Sequence, residues 1–401
     1  MNQGFEPTMF ECSATVIAMS QVTTPLPLPA GVRARTADNG NGLQMHWLEA
    51  GFEDPGRPLV LLLHGFPELA FSWRRQMLPL AALGFHVIAP DQRGYGRTTG
   101  WDARYDGDLA SFCMLNLVRD VLGLVFALGH RSVAAVVGHD FGSPVAAWCA
   151  LLRPDVFRSV VMMSAPFSGA PALPFDTVEH GAPARAPMAL LLEELAALPR
   201  PRKHYQSYYA TPEANADMHG APQGLHDFLR AYYHHKSADW PGNQPHPLAE
   251  LSAASLAELP TYYVMHAANG MASTVADEMP SPAAIDACTW LPDDALSVYA
   301  QEYARTGFQG GLQWYRCATS QHYMAALQIF SGRTIDVPSC FIAGRQDWGV
   351  FQQPGAFEAM QGKVCIDMRG VHLIEGAGHW VQQEQPAAVN LRLREFLDGL
   401  R

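Results

Sequence analysis

Three short segments carry residue types that could form and break a covalent intermediate. Residues 132–147 read SVAAVVGHDFGSPVAA: an apolar run, then Gly138-His139-Asp140-Phe141-Gly142, then a helix-forming stretch. A sharp strand-to-helix turn strains its central residue, and flanking glycines let neighbouring backbone come close. The pattern is G-x-S-x-G with Asp140 where a serine nucleophile would stand. Taken alone, Asp140 reads equally well as a helix N-cap. The strand-like run before it and the helix after it favour a nucleophile. Phe341–Asp347 puts an acid, Asp347, just past a second apolar run, and Leu373–Trp380 puts His379 just past a third. Each alone reads as a turn or loop residue. Together they give nucleophile, acid and histidine in that order, each at a strand end, where open α/β sheets collect their chemistry.

The residue types fit a two-step displacement. An Asp, with a reference pKa near 3.9, is ionised at neutral pH and attacks without a base. Attack on an sp³ carbon gives an alkyl ester, which carries a carbonyl that water can reach; a serine would give an inert ether. His379 then activates water, and Asp347 orients the imidazole and stabilises its charged form. Leu61–Pro67 ends another apolar run, and the Phe66 N–H is placed to pair with that of Phe141 as an oxyanion hole.

These residues need a scaffold that brings four strand ends together. Gly31–Ala37 and Leu43–Glu49 flank the turn residues 38–42 and read as a hairpin. Short apolar runs follow at Pro58–Leu63, His86–Ala89, Ser132–Val137 and Ser159–Met163, and again at Ser339–Ala343 and Val371–Ile374. Runs of this length suit strands buried on both faces of a parallel sheet, with helices between them. The alternation stops between about Pro166 and Thr334, where Pro, Ala, Tyr and His are frequent and helical patches such as Met188–Leu198 and Leu225–His234 stand out. The expected organisation is a lead-in at residues 1–30, a core in two parts at 31–165 and 335–401, and a mostly helical insertion at 166–334.

Composition restricts the function classes. A formal charge of −11 over 401 residues argues against nucleic acid and anionic membranes as partners. Seven scattered cysteines with no CxxC pair fit reduced thiols in a cytosol better than a disulfide framework. No Lys or Arg precedes the first apolar stretch, and no stretch has the length to span a bilayer, so a cytoplasmic location is expected. Gly94-Tyr95-Gly96 lacks the third glycine and helix start of a dinucleotide loop. His219, His234, His235 and His246 lack the accompanying Cys or carboxylate spacing of a metal site and read as solvated residues. No cofactor or metal is expected.

The set HGFPE (64–68), DQRGYGRT (91–98), GHDFG (138–142), GRQD (344–347) and GAGHW (376–380) resembles the epoxide hydrolases of the α/β-hydrolase superfamily, over roughly residues 30–400. The resemblance implies an α/β-hydrolase fold: a mostly parallel sheet flanked by helices, with a helical cap as the insertion. It also implies a cis Phe66–Pro67 bond and two cap tyrosines that activate the epoxide oxygen. Thr306–Arg316 resembles the segment holding one of them, Tyr315. Tyr205–Tyr209 resembles the other, which would be Tyr205, with Tyr208 and Tyr209 as competitors. The implied activity is addition of water to an epoxide to give a vicinal diol, by an ether-bond hydrolase of EC 3.3.2 type with detoxification as its role. Phe66, Phe141 and Trp348 suggest an apolar pocket for a small apolar epoxide; a homodimer is left open.

Two other functions compete. A haloalkane or haloacid dehalogenase uses the same ester, but such enzymes usually carry Trp or Arg after the nucleophile, where this chain has Phe141. A non-catalytic binding protein on this fold is disfavoured because every catalytic position is filled. A phenol, with pKa near 10, can donate to an alkoxide at neutral pH, which epoxide opening needs and halide departure does not.

Overall fold

The computed structural model describes residues 24–178 and 188–400. Cys12 and most of the expected lead-in lie outside the described residues, as does the stretch 179–187 of the insertion. The chain opens with the expected hairpin: β1 (Val32–Asp38) and β2 (Gln44–Ala50) pair antiparallel from Val32 opposite Ala50 to Asp38 opposite Gln44. β3 (Leu59–Leu63), β4 (His86–Pro90), β5 (Ala135–His139) and β6 (Val160–Met163) follow, each matching an apolar run. Every residue of β3, β5 and β6 is buried, as strands covered on both faces require.

The inserted stretch holds helices that include Tyr205–Tyr209, Leu225–Lys236, Asp293–Thr306 and Gln309–Thr319. It also holds a two-stranded antiparallel sheet where no strand is expected, β7 (Arg202–His204) with β8 (Val264–His266). Three residues such as Arg-Lys-His carry no apolar alternation to read. The chain then returns to the main sheet with β9 (Ser339–Gly344) and β10 (Met368–Ile374).

The main sheet has eight strands in the order β1-β2-β4-β3-β5-β6-β9-β10. β2 pairs antiparallel with both its neighbours, and all other pairings are parallel. The fold is therefore an α/β-hydrolase fold with a mostly parallel sheet between helices. Apolar side chains from both faces of the sheet form two clusters, the larger of which continues into the inserted helices. No helix among the described residues is long and apolar enough to cross a membrane.

One close approach docks the insertion on the core. A Cβ on Gly94 would lie 2.6 Å from the Gly310 carbonyl group, and one on Gly310 would lie 2.1 Å from the Gly94 oxygen. Only glycine at both positions allows that contact. Gly94-Tyr95-Gly96 is thus a landing for the helix Gln309–Thr319, and Trp314 of that helix donates its indole N–H to the Arg93 carbonyl at 2.9 Å. One histidine departs from expectation: His235 is fully buried, not solvated. It lies on the inner face of its helix, 4.5 Å from the Trp240 ring and 4.7 Å from Tyr262 by ring centres, and burial pushes its pKa down to about 3.

Candidate active site

The turn between β5 and the helix Gly142–Leu152 holds Asp140 at φ 51°, a left-handed conformation that costs energy for any residue but glycine. The glycines beside it have no room for a side chain. A Cβ on Gly138 would sit 2.0 Å from the Gly142 oxygen, and one on Gly142 would sit 2.2 Å from the Leu63 oxygen. The elbow is thereby pressed against the end of β3, which brings the Phe66 N–H to 2.8 Å from Asp140 Oδ1. The peptide bond from Phe66 to Pro67 is cis. Phe141 precedes the helix Gly142–Leu152, so its N–H belongs to the donors that a helix start leaves unpaired.

His379 follows β10 and reaches Asp140 from the far side, with Nε2 3.1 Å from Asp140 Oδ2. Its Nδ1 lies 3.1 Å from Asp347 Oδ1, and that same oxygen accepts the Gly349 N–H at 2.7 Å. The three expected residues thus form one chain of contacts. Burial would raise the Asp140 pKa, but the His379 imidazole, the Lys236 ammonium and His139 together hold it well below the usual carboxylate range. Asp347 is also lowered against the pull of burial, by His379 and by the Gly349 N–H. Both carboxylates are ionised at neutral pH.

A cavity of about 680 Å³ opens over Asp140, and Tyr205, Tyr315 and Phe141 stand on its wall. The Tyr315 ring meets Phe66 at 5.5 Å, Phe141 at 5.1 Å and Tyr205 at 5.8 Å, centre to centre. Burial, and next the charge of Asp140, push the Tyr205 and Tyr315 pKa values well above 10, so both phenols keep their protons. The neighbouring tyrosines are engaged elsewhere. Tyr208 donates to Asp217 at 2.8 Å, and Tyr209 donates to the Tyr232 hydroxyl at 3.2 Å. Two of the expected pocket residues lie off the cavity wall. The Phe66 ring packs against Tyr209 and Phe308, and Trp348 is buried edge-on against His246 at 4.9 Å. Trp348 follows Asp347 directly, and the turn that aims Asp347 at His379 sends its neighbour the other way.

Four residues around this site were not singled out from the sequence. Glu68 and His139 form a wholly buried ion pair at 2.6 Å, and His139 Nε2 lies 2.7 Å from the His379 carbonyl. The Lys236 carbonyl accepts the His379 N–H at 2.9 Å. Its ammonium lies 4.9 Å from the centre of the Tyr263 ring and 5.4 Å from that of Trp380. Glu384 gathers the N–H groups of Gly378, Trp380 and Ala238 at 2.8–2.9 Å, which fixes the loop on either side of His379. Glu68 and His139 stand inside motifs already noted, HGFPE and GHDFG; a titratable residue within each motif was the available signal. Lys236 and Glu384 offered none.

Residues 58–189 match the alpha/beta hydrolase fold family. The chain is 35% identical over 367 residues to epoxide hydrolase A of Mycobacterium tuberculosis, covering 90% of this chain and 96% of that protein. It is 32% identical to an epoxide hydrolase of Caballeronia sordidicola, with 89% and 91% covered. Among solved structures, an epoxide hydrolase from an endophytic Streptomyces superposes with a TM-score of 0.72 at 32% identity, over 93% of this chain and 97% of that one. Potato (Solanum tuberosum) epoxide hydrolase I gives 0.68 at 29%, over 92% and 99%. The likeness runs through sheet and insertion alike and leaves little of either relative uncovered, so the chain is a hydrolase and belongs to the epoxide hydrolases of the α/β-hydrolase superfamily.

Proposed function

We propose that the protein opens an epoxide to a vicinal diol through an ester on Asp140. The observation that carries this reading is the position of the Asp140 carboxylate. It is gripped at Oδ1 by the Phe66 N–H, met at Oδ2 by His379, and shares a cavity with two protonated phenols. Oδ2 attacks an epoxide carbon, and Tyr315 with Tyr205 gives a proton to the oxygen as the ring opens. Oδ1 becomes the ester carbonyl oxygen, already beside the Phe66 N–H, and the unpaired N–H of Phe141 at the helix start is the second donor proposed for the charge that develops on it. His379 takes a proton from water, which adds to the carbonyl carbon, while Asp347 stabilises the imidazolium. Collapse breaks the bond to the alkyl oxygen, which takes the proton back from His379. The new Asp140 carboxyl, with its lowered pKa, ionises and returns a proton to the phenolate.

One feature of the insertion favours an epoxide over an alkyl halide: the phenols stay protonated, and only an alkoxide needs their proton. A single turnover in ¹⁸O-water tests the route. The label is expected in the Asp140 carboxylate, read by mass spectrometry of the peptide that contains it. Label found in the diol alone would overturn the covalent step, and halide release from haloalkanes with no diol from any epoxide would overturn the reaction itself.

A further inference from the structure

We infer that the substrate is an uncharged, apolar molecule that carries its epoxide at one end of the skeleton. The inference rests on the epoxide reading above and adds a substrate class to it. The cavity, at about 680 Å³, is of the size that encloses a drug-sized ligand. Exposure grades along its wall. Tyr205, Tyr315, Trp314 and Trp148 are buried and mark the deep part, whereas Ser168, Ala172, Gln353 and Gly355 are exposed and mark the mouth.

The space lies on one side of the nucleophile. Phe141, Pro144 and Trp148, from the elbow and the helix that follows it, line the cavity. By contrast Phe66, Trp348, His379 and Trp380, from the loops that carry the Phe66 N–H, Asp347 and His379, are all buried, and none of them is on the wall. Phe66 is wedged 5.3 Å from Tyr209 and 5.5 Å from Tyr315 by ring centres, and Trp380 stands 4.7 Å from His379. An epoxide placed on Asp140 therefore has room for a long substituent on one of its carbons and little room on the other. Interiors packed with rings yield poorly to extra methylenes.

Charge selects as strongly as shape. Among the described residues, Asp140 is the single ionised side chain on the wall. The long walls are apolar, with Phe112, Leu117, Phe167 and Leu327 among them, and the polar groups are neutral, such as Gln206, Gln352 and Gln353. A carboxylate entering with the substrate would lose its water, gain no cation from the described wall residues, and face the negative charge of Asp140.

The test compares three epoxides of equal chain length: a terminal-epoxide alkane, its mid-chain isomer, and a terminal epoxide whose far end is a carboxylate. The terminal alkane is expected to have the highest kcat/KM, with the mid-chain isomer lower by about tenfold or more and the carboxylate lower by about 100-fold. A mid-chain isomer as good as the terminal one would overturn the one-sided pocket. A carboxylate turned over as well as the alkane would overturn the charge argument. Met324, half-buried on the cavity wall and outside the catalytic set, offers a second readout. Met324→Arg should favour the carboxylate over the alkane by about tenfold relative to the parent, since a cation then faces it; an unchanged ratio would overturn the charge argument. No diol from any of the three would overturn the epoxide reading, and this inference with it, which separates that failure from the others.

Discussion

The reacting groups carried by the sheet are positioned by backbone atoms, among them the Lys236 carbonyl of the inserted helix Leu225–Lys236, whereas those carried by the insertion are positioned by rings. The Phe66 N–H holds Asp140, the Lys236 carbonyl holds the His379 N–H, and Glu384 collects three backbone N–H groups around the histidine loop. Tyr315 instead stands among Phe66, Phe141, Tyr205 and Tyr209, each between 5.0 and 5.8 Å away by ring centres. A hydrogen bond to backbone fixes an atom and a direction. Ring packing fixes a plane and leaves the hydroxyl to meet whatever enters. On the proposed mechanism, the sheet side is organised around charge that must stay in place, and the inserted side around proton donors that can share one task. Loss of a group should be near-total on the first side and graded on the second.

The largest effect is expected at His379. In His379→Gln the ester should still form, because Asp140 needs no base to attack, but its hydrolysis loses the base. Turnover should fall about a thousandfold or more, as when one member of a catalytic triad is removed. Intact mass after mixing with a terminal epoxide should show the protein carrying one substrate. A variant that loses turnover without any adduct would place His379 in the first step and erase the contrast drawn between nucleophile and base.

The inserted side should respond by degrees. Tyr315→Phe and Tyr205→Phe are each expected to slow epoxide opening by about 10- to 100-fold, below the full range for general acid catalysis because the other phenol remains. Tyr208→Phe should leave opening unchanged, since its hydroxyl already pairs with Asp217. Pre-steady-state ester formation in the three variants reads this directly. Equal loss at Tyr205 and Tyr208 would break the assignment of Tyr205.

The same contrast explains what the sequence revealed. Backbone-held geometry leaves a sequence trace, because it needs glycine at places where a Cβ would strike the chain. Gly138 and Gly142 made the elbow legible around Asp140, and the strand runs were legible because burial on both faces demands unbroken apolar residues. Ring-held geometry leaves a fainter trace. Three tyrosines lie within Tyr205–Tyr209, and only the packing separates the one on the cavity wall from the two engaged elsewhere. Trp348 was misread for a related reason: adjacency to Asp347 says nothing about which way the next side chain turns. The buried Glu68–His139 pair joins positions 71 residues apart, beyond any local pattern.

Among the substitutions expected to lower turnover, one in that pair has the smallest effect and gives the sharpest test of how far the charged network extends. His139 Nδ1 faces the Glu68 carboxylate and Nε2 faces the His379 carbonyl, at 2.6 and 2.7 Å, so both ring nitrogens carry protons and the ring is charged. Burial would lower the His139 pKa, but Glu68, with Asp140 and the His379 carbonyl, outweighs it and raises the value above the ordinary 6.5. Burial would likewise raise Glu68, and His139 together with His64 outweighs it, leaving Glu68 below the ordinary 4.5. The sign of the linkage follows. The part due to His139 is complete below pH 6.5 and declines as pH rises from there through its folded pKa; the part due to Glu68 is complete above pH 4.5 and declines as pH falls. In Glu68→Gln the ring loses its counter-charge and becomes neutral. Turnover should drop by about tenfold or less, because His379 keeps its bonds to Asp347 and Lys236 and loses only a charged donor on its carbonyl. The stability advantage of the parent over the variant, read as the difference in denaturation midpoint, should be greatest between pH 4.5 and 6.5 and narrow at higher pH. A difference that holds constant from acid to alkaline pH would mean that Glu68 supports the histidine loop through packing and not through charge, and the charged network would then end at Asp140, His379 and Asp347.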